Sequence, residues 1–149
     1  SEASIPSYQH VYLAILRGDA KAALQVAAQQ PAPWRDINVA LALQAGGDRA
    51  AADAALATVI RDGAWRKTSP YVIAQAYALR GDAGKAVEWL ERAWAIRDIN
   101  IRQLLYDPLL LRFRNDPRFI AFCKKIGLPP PGESEALGID QIRAKPAKG

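Results

Sequence analysis

Apolar residues in the first two thirds of the chain recur every three or four positions, the spacing of one helix face, and short Gly-Asp pairs punctuate the pattern. Residues 8–17 read as a helix stopped by Gly18. Asp19 then caps a second helix through Lys21, Leu24 and Ala27, which Pro31 and Pro33 end. A second unit runs from Trp34 to Ala45, turns at Gly46-Gly47-Asp48 and returns through Ala52, Leu56 and Val59. A third starts after Ser69-Pro70, turns at Gly81-Asp82 and returns through Ala86, Leu90 and Ala93 to Ile96. Hydrophobicity alone would allow buried strands over residues 11–16 and 71–78. Both segments instead carry a helical period into a glycine stop, so both are read as helices. Gly47 and Gly81 lie 34 positions apart, a spacing typical of helical repeats. A helix hairpin cannot bury its apolar face alone, so the expected fold is all-α, with about three hairpins stacked on one another.

Aligned on their Gly-Asp turns, the second and third units pair Ala40 with Ala74, Leu43 with Tyr77, Ala52 with Ala86, Leu56 with Leu90 and Val59 with Ala93. This alternation of small and bulky residues resembles the tetratricopeptide repeat (TPR). The third unit fits best, the second lacks the aromatic at Leu43, and the first, with Val11, Ala14, Ala23 and Ala27, is shorter than the period. The resemblance covers about residues 4–100 and implies a right-handed helical solenoid with a concave groove. Beyond Ile96 the period is lost. A helix is predicted over residues 100–106, and Asp107-Pro108 and Asp116-Pro117 each place a capping Asp before a proline suited to the first helical turn. Two short helices should follow, over residues 108–114 and 117–126, the second ending at Gly127. Leu109, Leu110, Phe113, Phe119, Phe122 and Ile126 can then cover the open end of the last hairpin. Residues 1–128 are thus expected to form one domain, with a cap over 97–128. The stretch from Asp107 to Pro129 resembles the end of repeat arrays in bacterial multidomain regulators, where it accompanies a winged-helix DNA-binding domain or a nucleotide cyclase domain. Pro129-Pro130-Pro131-Gly132 breaks the helix, and residues 129–149 read as a flexible tail, with one or two helical turns over 136–143 if it docks.

About one residue in five is alanine, which favours helices that approach one another closely. Charged or strongly polar residues interrupt every apolar run before the roughly 20 residues needed to cross a bilayer, so no membrane segment is expected. The chain contains no methionine and no signal-peptide pattern, which suggests a processed product or an excised domain. The compartment stays open between cytoplasm and periplasm. The net charge of +5 is concentrated late: residues 97–128 carry seven cations against three anions. Arg112, Arg114, Arg118, Lys124 and Lys125 form the expected basic patch. Phosphate contact with base stacking on Phe113 and Phe119 would make it a nucleic-acid site, but those phenylalanines fall at apolar helical positions and fit a packed cap better.

Candidate chemistry is sparse. His10 is the only histidine and Cys123 the only cysteine, far apart in sequence, so no metal site, disulfide or nucleophile-base pair is expected. Cys123 sits at helical spacing among Phe119, Phe122 and Ile126 and reads as a small buried hydrophobe. Lys124 and Lys125 would lower its pKa only if they turned toward it. Glu88 and Glu91 could act as an acid pair, yet Arg92 follows Glu88 at i+4 and explains it as a surface ion pair. No catalytic residue and no cofactor is predicted.

The candidate binding residues are those that first helices of TPR hairpins turn toward the groove: Tyr8, Tyr12, Asn38, Leu41, Tyr71 and Gln75. Tyrosine combines a rigid apolar face with a hydroxyl, and carboxamides can bond a peptide backbone. Only Asn38 matches the Lys, Arg and Asn set with which some family members grip a terminal carboxylate, so that mode is not expected. The leading functional expectation is a non-catalytic scaffold that binds a peptide or helix of a partner protein in its groove. Alaninne replacement of Tyr12 and Tyr71 is expected to weaken capture and spare the fold. The alternatives are a sensory or oligomerisation module of a larger bacterial regulator, with homodimerisation through an open end of the array, and a small basic nucleic-acid binder.

Overall fold

The computed structural model describes residues 7–129, with side chains from residue 9 onward; the predicted tail, after its first residue Pro129, lies outside the described residues. The described chain is all-helical, in three hairpins followed by a compact cap. Helix α1 (Ser7–Leu16) pairs with α2 (Ala20–Ala28), α3 (Trp34–Ala45) with α4 (Arg49–Asp62), and α6 (Pro70–Arg80) with α7 (Ala83–Ala95). A one-turn helix, α5 (Ala64–Thr68), links the second hairpin to the third. The cap comprises a 3-10 segment (Ile99–Tyr106), α8 (Pro108–Leu111) and α9 (Pro117–Lys125).

The hairpin turns follow from local chemistry. Asp19, Asp48 and Asp82 each accept from the backbone N–H three residues on, at Ala22, Ala51 and Lys85, with distances of 2.9–3.0 Å. Gly18 and Gly81 take the left-handed conformation that ends a helix in the fewest residues. The middle turn differs: Gly46 is extended and Gly47 is not left-handed, so the extra glycine lengthens the turn rather than tightening it.

Helix α3 packs against α1 and α6, so the first helices of the hairpins lie side by side in chain order, each backed by its partner. Alanine permits this closeness. Ala14, Ala40 and Ala74 on the first helices and Ala23, Ala27, Ala52, Ala86 and Ala93 on the second are all buried. The aligned pairs behave alike in packing, with Leu56 and Leu90 buried and Leu43 and Tyr77 half-buried. One hydrophobic core runs from Val11 to Cys123.

Where the sequence suggests an ordinary helix over residues 100–106, the chain forms the 3-10 segment. Side chains three apart eclipse in that geometry, which brings Leu104 into the core directly above half-buried Ile101. Helix α8 stops at Leu111, earlier than expected, and α9 stops at Lys125, two residues before Gly127 in the left-handed conformation. Leu109, Leu110, Phe119 and Phe122 are buried as α8 packs on α6 and α9 on α7. Arg97 is the one non-glycine residue with positive φ among the described residues, at 58°. Stacked on Trp94 at 4.1 Å, it occupies the position after α7 where glycine would be easiest, and it turns Asp98 back beneath α6.

Candidate functional site

The polar centre of the molecule is a residue read from the sequence only as a helix cap. Asp107 does cap α8, since its Oδ1 accepts from the Leu109 backbone N–H at 3.0 Å. The same oxygen also accepts from the Tyr12 hydroxyl at 2.8 Å, while Oδ2 accepts from the Tyr71 hydroxyl at 2.6 Å and Gln75 Nε2 at 2.8 Å. With 1% of its surface exposed, the carboxylate is dry and saturated by four donors. It ties α1, α6 and the cap together at one point.

Asp98 makes a second such point. Its Oδ2 accepts from the Ser69 hydroxyl at 2.8 Å and the Tyr71 backbone N–H at 3.1 Å, supplying α6 with an N-terminal acceptor from 27 residues away. Oδ1 accepts from the Asn100 N–H at 3.0 Å, and Asn100 Nδ2 donates to Ser69 Oγ at 2.9 Å. Neither Asp98 nor Asp107 has a cation within ion-pair distance among the described residues.

This arrangement controls the tyrosines. Burial first, then the Asp107 charge and hydrogen bond, push the Tyr12 and Tyr71 hydroxyls above the ordinary tyrosine range. A group whose folded pKa is raised stabilises the fold fully below its unfolded pKa and loses that contribution as pH rises beyond it. Urea unfolding is therefore expected to become easier above about pH 10, where unfolded tyrosines ionise and these two stay protonated. Tyr71→Phe should flatten that alkaline slope. An identical slope in wild type and variant would contradict the assignment.

Beside this centre lies a cleft of about 480 Å³, within the size range of ligand pockets. Gln9 and Tyr12 of α1, Trp34, Asn38 and Leu41 of α3, and Val72 and Gln75 of α6 line it, with Asn100 and Gln103 of the 3-10 segment at its border. Trp65 of α5 completes it, edge-on to Trp34 at 4.9 Å between ring centres and donating from Nε1 to the Pro33 carbonyl at 3.1 Å. Among the described residues the surface of the cleft offers indoles and carboxamides and no charged side chain.

Of the predicted groove residues, Tyr12, Asn38, Leu41 and Gln75 come together on this cleft. Tyr71 does not: it is fully buried and holds Asp107 from behind the wall, so its replacement by alanine would strike the fold rather than spare it. Tyr8 lies outside the residues whose side chains are described. Trp34, Trp65, Asn100 and Gln103 were not expected there. Two tryptophans bracketing one predicted unit were the available signal, but Trp65 sits in a helix too short to show a period.

The basic patch is largely spoken for. Arg112 Nη1 donates to the Ala78 carbonyl at 2.6 Å and closes the end of α6. Arg118 forks onto Asp116 at 3.1 and 2.9 Å and holds that carboxyl down at about 2, and Lys125 pairs with Glu91 at 2.5 Å. Arg114 and Lys124 are exposed. Glu88 bridges Lys85 and Arg92, each at 3.1 Å, as the i+4 spacing suggested for Arg92. Cys123 is buried, and burial pushes its thiol up to about 11, opposite to the lowering that its neighbouring lysines could have caused. Among the described residues no cluster of His, Cys, Asp and Glu is placed to hold a metal, and no helix is long and apolar enough to cross a membrane.

No protein-family model matches the chain, and neither does any curated protein or solved structure.

Proposed function

We propose that the chain is a TPR-like, right-handed solenoid of three hairpins with a C-terminal cap, and that it works without catalysis as a scaffold. It captures an extended segment of a partner protein in the cleft along α1, α3 and α6. The observation that carries this reading is the lining of the cleft. Two indoles supply apolar area, exposed Gln9 and Gln103 can both donate to and accept from a peptide backbone, and Asn38, Gln75 and Asn100, whose amide nitrogens donate to Gln30, Asp107 and Ser69, add acceptor oxygens. Buried tryptophan and tyrosine surfaces also dominate the energetics of protein recognition. Four donors occupy the Asp107 carboxylate, which leaves it no spare lone pair for proton transfer.

Selection of random peptides displayed on phage tests the reading. Clones enriched on the wild-type chain are expected to lose at least about tenfold in affinity on Trp34→Ala, a change at a half-exposed rim position. Failure to enrich any sequence, or equal binding to the variant, would overturn it.

A further inference from the structure

We infer that the cleft takes the side chain of an arginine or lysine, carried by an otherwise uncharged, extended segment of the partner. This rests on the groove reading and adds the charge of what enters.

Asp98 and Asp107 are 5% and 1% exposed, and every partner they have is neutral. Neutral donors satisfy their lone pairs without cancelling their charge, and so little water reaches them that the field is only weakly screened. That field emerges at the cleft. Tyr12 and Gln75 are at once cleft wall and partners of Asp107, while Asn100 is at once cleft border and partner of Asp98. Among the described residues no charged side chain lines the cleft, so none of them neutralises the two carboxylates at its surface. At Tyr71, where burial is the first cause of the raised hydroxyl pKa, the charge of Asp107 and, less strongly, that of Asp98 add to it.

The two indoles of the cleft supply what a cation uses. Trp34, 48% exposed, and Trp65 meet edge to face, and an indole face is the best aromatic partner for a guanidinium or ammonium. A guanidinium can stack there and direct its remaining N–H groups at the carboxamide oxygens of Asn38 or Gln103, whereas a carboxylate would meet repulsion. A wholly neutral segment would fill the same space and leave the field unused.

The test titrates three blocked pentapeptides, Ser-Gly-Xaa-Gly-Ser with Arg, Gln or Glu at the centre, into the full chain at low ionic strength. The four indole N–H resonances are the readout, with Trp89 and Trp94 on α7 as internal controls. The Arg peptide should shift Trp34 and Trp65 alone and bind at least about tenfold more tightly than the Gln peptide, with the Glu peptide weakest. Asp107→Asn should cut the Arg-over-Gln ratio severalfold. Trp34→Ala, which leaves the core intact, should remove Arg binding even if the Asp107 variant folds poorly. Equal affinity for Arg and Gln at Trp34 and Trp65 would overturn the cation assignment and leave the groove reading standing, as would a preference for Glu. Silence of Trp34 and Trp65 with all three peptides would overturn both.

Discussion

Replacing Asp107 with alanine is expected to lower the unfolding free energy by about 4 kcal/mol, the range seen when buried hydrogen-bonded charges are removed. The carboxylate is the shared acceptor for the Tyr12 and Tyr71 hydroxyls, Gln75 Nε2 and the Leu109 N–H, and alanine leaves all four without it. Each buried donor left alone costs roughly 1–3 kcal/mol, and partial rearrangement of Tyr12, which is only half-buried, keeps the total below the simple sum. Asp107→Asn preserves shape and one acceptor oxygen, so a loss nearer 2 kcal/mol is expected. Chemical denaturation followed by circular dichroism measures both. A loss below about 1 kcal/mol for the alanine variant would mean that the cap does not depend on this tie.

Phe119→Ala is the second large effect, at about 3–5 kcal/mol, the usual range for emptying a fully buried aromatic position. Phe119 and Phe122 of α9 are buried in the same core as Trp89 and Leu90 of α7. The two sites act through different contacts, Asp107 through hydrogen bonds to α1 and α6 and Phe119 through apolar packing of α9. Because a domain of this size is stable by only about 5–15 kcal/mol, the double variant should be largely unfolded at room temperature. Thermal melts of the single and double variants check this, and a double variant as stable as either single one would show that the cap already detaches when one tie is lost.

The parts of the fold legible in the sequence are those set by neighbours along the chain. The capping bonds of Asp19, Asp48 and Asp82 span three residues each, and a Gly-Asp pair is enough to announce them. Asp116 before Pro117 likewise accepts from the Arg118 N–H at 2.9 Å. Asp107 belongs to the same pattern, which accounts for one of its four bonds. The other three reach residues 95, 36 and 32 positions away, and no local period encodes such distances. For that reason Tyr71 looked like a groove residue: its place on a first helix was read correctly, but not the carboxylate waiting for its hydroxyl. Helix α5 was invisible because five residues carry no periodicity, and with it went Trp65 and half of the indole wall.

The cleft and the basic face of the cap make opposite claims on a partner, and hydrogen–deuterium exchange of the full chain with a phage-selected peptide separates them. The groove account predicts slowed exchange over α1, α3 and the 3-10 segment around Asn100 and Gln103, with α9 unchanged. Protection confined to α7 and α9, beside Arg114 and Lys124, would contradict it and place the interaction on the cap.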